Sequence, residues 1–247
     1  MKSMGMKHFR LSISWSRVLP LGTTDTVNKQ GVDFYHNVID ELLLNGLEPW
    51  VTLYHWDLPS TLFNKSSTGA WLSRDIIDPF VAYADFCFNE YGSKVRKWIT
   101  FNEPQTFAWI GYGIGVHAPG RCSDYMGLPC RESGGGGDTP TEPYIVSHNV
   151  ILAHAKTYRL YEKKYRDTQH GELGLCVASY VIQQRHDWIH WMQLRTFYQI
   201  KFDILWKLNN LKKMLRCKVP SGERGERKRV VSRQTVSAML HSIGYSV

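Results

Sequence analysis

From residue 8 to about residue 180, strand-like and helix-like hydrophobic patterns alternate along the chain. The helix-like stretches repeat apolar residues every three or four positions, and the strand-like stretches are short apolar runs or alternate at every second residue. This order predicts an α/β fold in which crossover helices join the strands of a parallel sheet, with a long loop at 111–141. The predicted strands are His8–Trp15, Leu47–Tyr54, Val95–Phe101 and Leu173–Ser179, and the predicted helices are Gln30–Asn45, Ser73–Asn89 and Glu142–Tyr165.

The first predicted strand alternates strictly between apolar and polar residues. Its polar side carries Arg10 together with several serines, which is too polar for an ordinary core. We favour a polar side that points into the interior of a barrel, where Arg10 would be a buried cation in need of a carboxylate or a polar ligand. The alternative is an exposed sheet face. The apolar positions are Phe9, Leu11, Ile13 and Trp15, and the polar ones are Arg10, Ser12, Ser14 and Ser16.

Three predicted strand ends carry side chains suited to chemistry or stacking. They fall at Trp15, His55 and Glu103, which are 40 and 48 residues apart. Parallel strands of a (β/α)8 barrel end at one rim, and the active sites of such barrels lie there. Pro104 disfavours helical geometry at Glu103 and so helps to end the strand there. The spacing favours an enzyme, although Asn102 and Glu103 taken alone could equally belong to an ordinary turn.

The length of 247 residues and the 43% hydrophobic content suffice for a large core and are close to those of a minimal (β/α)8 barrel. No apolar run reaches 18 residues, and the opening Met1–Lys7 lacks the apolar centre of a signal peptide. We therefore expect a globular protein that does not insert into a membrane.

The net charge of +8 is concentrated at one end of the chain. Residues 201–247 contain 11 of the 30 basic residues but only 3 of the 22 acidic ones, so residues 1–200 are formally neutral. The basic residues are densest in Gly222–Arg229, a stretch without apolar side chains that is expected to stay solvated. We therefore predict two regions, a barrel part at 1–200 and a basic tail at 201–247. Nucleic acid is not an expected partner, because a charge run is usually a solvated face.

The chain has five cysteines, an odd number, so at least one thiol is free or pairs with another chain in an oxidising environment. Cys122 and Cys130 are the predicted disulfide, since they bracket a short loop that contains Gly and Pro. The sequence Asn64-Lys65-Ser66 fits the acceptor pattern for N-glycosylation. Both features favour a secretory or extracellular location.

Three long strings stand at the first three predicted strands: FRLSISWSR at 9–17, VTLYHWDLP at 51–59 and WITFNEP at 98–104. Shorter strings follow in order at 111–112, 118–122 and 142–144. Together they strongly resemble glycoside hydrolase family 1, the β-glucosidases and their relatives, over roughly residues 4–180. Several motifs in one order are far more specific than any single motif. The resemblance implies a partial (β/α)8 barrel of about four βα units.

The resemblance also implies roles for individual residues. Glu103 would be the general acid/base, and Asn102 would bind the 2-hydroxyl of the sugar, a contact that strengthens as oxocarbenium charge develops. His55 and Trp56 would line the pocket for the non-reducing sugar, and Arg10 would lie near a second carboxylate. The pair Cys122 and Cys130 matches a loop disulfide of plant-like members. In isolation, His55 would be read as a satisfied core histidine.

The sequence departs from the family pattern in its second catalytic carboxylate. Retaining glycosidases place that group about 5 to 5.5 Å from the acid/base. In the family it lies in a Thr-Glu-Asn-Gly string, which is absent here, and the acidic residues after position 190 are only Asp203, Glu223 and Glu226. The family's first strand, which supplies a sugar-binding Gln, is also expected to be missing. About half a barrel would then remain, with open sheet edges.

These observations predict a retaining β-glycosidase-type hydrolase, β-glucosidase-like, that carries the acid/base half of its site without the nucleophile strand. The alternative is a catalytically inactive fragment that binds carbohydrate or another partner. A small-molecule β-glycoside is the expected substrate, no cofactor or metal is expected, and the oligomeric state stays open. His186 and His190 are four residues apart but have no third ligand for zinc. The basic tail could arise from a shifted reading frame, a retained intron or alternative splicing.

Overall fold

The computed structural model describes residues 1–65, 70–124 and 136–178. Within them, four strands form one parallel sheet in the order β1-β2-β3-β4, so that strands adjacent in the chain are adjacent in space. The predicted α/β architecture is confirmed. The strands are β1 (His8–Ser12), β2 (Glu48–Tyr54), β3 (Lys97–Asn102) and β4 (Glu172–Cys176). The helices are α1 (Trp15–Val18), α2 (Lys29–Leu44), α3 (Ser60–Lys65), α4 (Ile77–Tyr91), α5 (Pro104–Tyr112), α6 (Glu142–Lys164) and α7 (Arg166–Gln169). Short 3-10 helices lie at Lys2–Met4, Ala70–Leu72 and Arg74–Ile76.

The core lies between the sheet and the long helices, because those helices carry apolar stripes at helical spacing. Helix α2 buries Tyr35 and Ile39, and helix α4 buries Phe80 and Phe88. Aromatic rings fill much of this layer: Phe80 stacks on Phe101 of β3 with ring centroids 4.5 Å apart. The helix-covered face of the sheet is therefore the apolar face, and the opposite face carries polar side chains such as Arg10 and Thr52 beside the exposed Trp50.

Most predicted elements are found within a few residues of their predicted bounds. Three bounds differ more: β1 ends at Ser12 and not at Trp15, β4 ends at Cys176 before the predicted Ser179, and α4 begins at Ile77 and not at Ser73. Trp15 instead begins α1, is fully buried and stacks on Tyr83 of α4 with ring centroids 4.9 Å apart. The prediction that Trp15 marks a strand end at the rim is therefore wrong. The alternating pattern continues past the strand because Ile13 and Trp15 are both buried after the backbone has turned.

Helix α5 follows β3 directly and was not predicted. It begins with Pro104 at its first turn, where a missing backbone N–H is harmless because that group has no partner within the helix. The predicted loop at 111–141 starts after Tyr112, and its described parts contain a single isolated bridge between Ile114 and Cys122.

Several predictions fall on residues that the structure does not describe. These are Ser179 at the predicted end of the fourth strand, Cys130 of the predicted disulfide and the basic tail at 201–247. The boundary at residue 200 therefore stays a prediction. Among the helices of the described ranges, none has the length and apolar character needed to cross a membrane.

Candidate active site

The carboxyl end of β3 places Asn102 on the polar face of the sheet. Regular alternation would put Asn102 on the same side as Trp98, which packs against Phe88 of α4. The pairing of β3 with β4 shifts register between Ile99 and Asn102, however, and such irregularities redirect side chains near active sites. As a result Phe101 packs with the helices, whereas the Asn102 side chain reaches Arg10 on β1.

Arg10 connects all four strands on that polar face. Its Nε donates to Thr52 Oγ1 of β2 at 3.0 Å, its Nη2 donates to Asn102 Oδ1 at 2.6 Å, and its Nη1 lies 3.5 Å from the Sγ of Cys176 at the end of β4. The polar face therefore gathers these side chains, as the inward orientation predicts. The expected burial of Arg10 is wrong, because the residue is exposed. Its three contacts are an alcohol, an amide and a cysteine sulfur, so none of them is a contact with a carboxylate.

Glu103 lies at the junction of β3 and α5 in a constrained backbone conformation. Its φ of 40° and ψ of 59° are left-handed, a region that costs a non-glycine residue on the order of 1 kcal/mol or more. Its backbone N–H donates to the Cys176 carbonyl at 2.9 Å, and its own carbonyl accepts from Phe107 at 3.0 Å. Both bonds hold the residue between β4 and α5, with its side chain partly exposed at the rim.

His55 and Trp56 follow the end of β2 and share this rim. The pKa of His55 is lowered first by partial burial and then by the positive charge of Arg10, while Asp57 and Glu103 oppose that shift. His55 is therefore within electrostatic reach of both Arg10 and Glu103. Trp56 Nε1 donates to the Asn102 carbonyl at 2.8 Å, which ties the turn after β2 to the end of β3.

The loop after α5 is fastened to the start of α6 beside the site. Arg121 forms a two-pronged ion pair with Glu142, with Nε and Nη2 at 2.8 and 2.6 Å from the two carboxylate oxygens. The bond to Glu142 raises the pKa of Arg121. Cys122 is disulfide-bonded, whereas Cys87 and Cys176 are free. Cys130, the predicted disulfide partner of Cys122, lies outside the described residues.

The geometry thus brings together all five predicted pocket residues, Arg10, His55, Trp56, Asn102 and Glu103, at one end of the sheet. Sequence reasoning gave no role to Thr52, Asp57 and Cys176, which also lie there. Thr52 accepts a hydrogen bond from Arg10 and lies two residues after Trp50, the residue opposite Arg10 on β2. The alternation of side chains along β2 therefore indicates that Thr52 lies on the same face as Arg10. No pattern indicates Cys176, because its place depends on the register of β3 with β4.

At the rim, the Glu103 carboxyl group follows the Asn102 amide directly in the chain, and the Asn102 side chain bonds to the guanidinium of Arg10. Among 1–65, 70–124 and 136–178, no group of three or more His, Cys, Asp and Glu residues is arranged to hold a metal ion. A carboxylic acid beside an amide and a guanidinium suits proton transfer to a neutral leaving group together with hydrogen bonding to hydroxyls.

Comparison with known proteins assigns this arrangement to a class. Residues 1–187 match the model of Glycosyl hydrolase family 1, and the chain belongs to that family. Similar curated proteins include Beta-glucosidase 34 of Oryza sativa subsp. japonica and Beta-glucosidase 40 of Arabidopsis thaliana, each 51% identical over 175 residues. Each alignment covers 71% of this chain and 33% of the relative, so the chain spans about a third of the length of these relatives.

Solved structures agree on the fold. The crystal structure of a rice β-glucosidase is 49% identical, with a TM-score of 0.67, and the match covers 72% of this chain and 36% of that one. A β-glucosidase from Thermotoga maritima is 35% identical, with a TM-score of 0.63 over 78% of this chain and 39% of that one. The four parallel strands and the helices that flank them are therefore part of a (β/α)8 barrel, as predicted.

Proposed function

We propose that this chain carries the acid/base half of a retaining β-glycosidase site, with Glu103 as the proton donor to the glycosidic oxygen. The observation that supports it most is the hydrogen-bonded group of Arg10, Thr52 and Asn102 beside Glu103 at the carboxyl end of the sheet. Asn102 is buried with its Oδ1 bonded to Arg10, so its amide N–H groups are oriented to donate to a sugar hydroxyl.

The proposed substrate is a small β-glycoside. Glu103 gives its proton to the leaving oxygen as the bond to the anomeric carbon breaks, and Asn102 binds the 2-hydroxyl, where a hydrogen bond strengthens in the transition state. His55 and Trp56 line the pocket for the non-reducing sugar. No Thr-Glu-Asn-Gly string occurs in the sequence, so the attacking carboxylate is proposed to be missing from this chain.

The experiment supplies the missing nucleophile from solution. The full chain is incubated with 4-methylphenyl β-glucoside and azide, and the product is identified by NMR. Azide bonds to the anomeric carbon from the face opposite the aglycone, the carbon–oxygen bond breaks, and the Glu103 proton passes to the leaving cresol oxygen. We expect azide-dependent formation of the α-glucosyl azide, reduced at least 100-fold in Glu103→Gln because this poor leaving group needs protonation.

The control is Glu41→Gln, which removes the charge of an exposed glutamate on α2 and is expected to leave the rate unchanged. Turnover that persists in Glu103→Gln would contradict the role of Glu103. The second candidate, a carbohydrate-binding fragment without catalysis, is supported by the same missing string. It predicts binding of phenyl β-thioglucoside, an uncleavable analogue, with no azide-dependent product.

A further inference from the structure

Gln105 is a buried amide side chain on the first turn of α5, two residues after Glu103. It is only 1% exposed, and its Nε2 donates at 3.0 Å to the carbonyl of Ala178, in the chain that follows β4. Its Oε1 is buried without a hydrogen-bond partner among the described residues. A buried amide needs hydrogen bonds to offset its loss of hydration. Within the described part of the chain, the bond to Ala178 is therefore the interaction that compensates for the burial of Gln105.

This bond continues the hydrogen bonding between β3 and β4 beyond the end of β3. The last backbone bond runs from the Glu103 N–H to the Cys176 carbonyl at 2.9 Å. In a parallel ladder, the next bond in this direction would join the N–H of residue 105 to the carbonyl of residue 178. Helix α5 begins at Pro104, however, so the backbone has left the strand direction before that position. The side-chain amide of Gln105 donates to Ala178 in place of the backbone.

The two bonds enclose the turn that carries the Glu103 carboxyl group. Glu103 has a φ of 40° and a ψ of 59°, a left-handed conformation that persists in a non-glycine residue only where its surroundings enforce it. The Cys176 carbonyl holds the turn at Glu103 itself, and the Ala178 carbonyl holds it two residues later. Because the backbone conformation limits the directions open to a side chain, these bonds also constrain where the Glu103 carboxyl group points.

We propose that Gln105 is a positioning residue for Glu103: its side-chain amide holds the chain after β4 against the left-handed turn and so keeps the carboxyl group in its direction at the rim. The relevance of this role to proton transfer rests on the proposed function. The contact itself lies within the chain, so it is also testable without a sugar.

The dependence of the reaction on the leaving group separates positioning from general stability. A cresol leaving group needs the Glu103 proton, whereas 2,4-dinitrophenolate departs as a stable anion without one. If Gln105 positions the proton donor, its loss slows azide-dependent cleavage of 4-methylphenyl β-glucoside and spares that of 2,4-dinitrophenyl β-glucoside. A residue that only stabilises the fold would lower both rates alike.

The test variant is Gln105→Met in the full chain, which keeps the length of the side chain and removes the donor. We expect the Glu103 amide to exchange with solvent about fivefold faster by NMR, because the neighbouring bond to Ala178 is lost. Azide-dependent cleavage of 4-methylphenyl β-glucoside should fall on the order of tenfold or more, with the KM for the glucoside nearly unchanged. Cleavage of 2,4-dinitrophenyl β-glucoside should stay within about twofold of the parent rate.

The matched control is Gln169→Met. Gln169 lies on α7, its Nε2 donates to the Phe88 carbonyl at 2.8 Å, and its Oε1 is likewise buried without a partner among the described residues. This variant loses the same kind of bond away from Glu103, so it should match the parent in Glu103 exchange and in both rates. Unchanged Glu103 exchange in Gln105→Met, or equal losses on the two glucosides, would overturn the proposal.

A measurement on the parent chain keeps the proposal testable if Gln105→Met does not fold. The side-chain N–H groups of Gln105 should exchange on the order of tenfold more slowly than those of the exposed Gln30, and equal exchange would overturn the bond to Ala178. If the parent forms no glucosyl azide from either glucoside, the proposed function fails. Faster Glu103 exchange in Gln105→Met but not in Gln169→Met would still support the positioning role.

Discussion

The two faces of the four-stranded sheet belong to the same strands but differ in composition and in exposure to solvent. The helix-covered face is a layer of buried aromatic rings in which Phe80, Phe101 and Trp71 touch one another. The other face carries Arg10, Thr52 and Asn102, joined by hydrogen bonds and open to solvent on the side of Arg10. Substitutions on the first face should change stability, and substitutions on the second should change ligand binding.

The difference between the two faces follows from how far each face is shielded from water. Apolar burial stabilises in proportion to the area removed from water, so the helix-covered face contributes most of the folding free energy. The polar face keeps its groups hydrated or bonded to neutral partners, which adds little net stability but leaves donors available to a ligand. The largest losses of stability are therefore expected on the helix-covered face.

Phe80→Ala is expected to be the most damaging change. The ring is fully buried and contacts Trp15, Tyr54, Trp71, Tyr83 and Phe101. Its loss should lower the free energy of unfolding by about 3–5 kcal/mol, measured by urea denaturation. The control Phe34→Ala removes a ring that is 47% exposed on α2 and should cost far less. Equal losses in the two variants would break the contrast between buried layer and surface.

Glu142→Gln tests the mostly buried ion pair beside the site. The side chains of Arg121 and Glu142 are 18% and 10% exposed, so the variant removes the negative charge from a mostly buried ion pair. We expect a loss of about 3 kcal/mol in the free energy of unfolding. Arg121→Gln combined with Glu142→Gln should recover part of that loss, because the mostly buried positive charge is then removed as well. If the double variant lost about a further 3 kcal/mol in the free energy of unfolding relative to Glu142→Gln, the ion-pair explanation would be wrong.

Arg10→Met tests the polar face. The change removes the donor to the buried Thr52 and Asn102 side chains, so the free energy of unfolding should fall by about 1–2 kcal/mol, less than for Phe80→Ala or Glu142→Gln. Binding of phenyl β-thioglucoside, measured by calorimetry, should weaken about tenfold or more, since Asn102 loses the group that orients it. A large loss of stability with unchanged binding would reverse the assignment of the two faces.

Lys156→Ala should have the smallest effect. Lys156 pairs with Asp78 at 2.7 Å, but the two side chains are 56% and 82% exposed, so solvent screens the interaction. The midpoint of urea denaturation should correspond to a change of no more than about 0.5 kcal/mol. A loss comparable to that of Glu142→Gln would show that burial does not separate the two ion pairs.

The sequence predicts the regular elements well because they depend on local periodicity. Strand β2, predicted as Leu47–Tyr54, differs by one residue, since a continuous apolar run marks a strand covered by helices. The end of β1 was missed because burial of Ile13 and Trp15 prolongs the alternation beyond the last strand residue. Helix α5 was missed because Pro104 marks a strand end as readily as a helix start.

The family strings predict which residues belong to the site, but they do not predict the contacts among those residues. The turn of Asn102 towards Arg10 depends on a register shift between β3 and β4, which no alternation in either strand reveals. The left-handed conformations of Trp56 and Glu103 likewise follow from tertiary contacts and not from residue type. The part of the site that escapes sequence reasoning is thus its backbone strain and strand register.

The most direct test of the account is a map of amide shifts in the full chain on addition of phenyl β-thioglucoside. The central claim is that Arg10, His55, Trp56, Asn102 and Glu103 form one sugar pocket at the carboxyl end of the sheet. We expect saturable shifts that cluster at these residues and that Arg10→Met weakens. Saturable shifts confined to the helix-covered side, or unaffected by Arg10→Met, would contradict it.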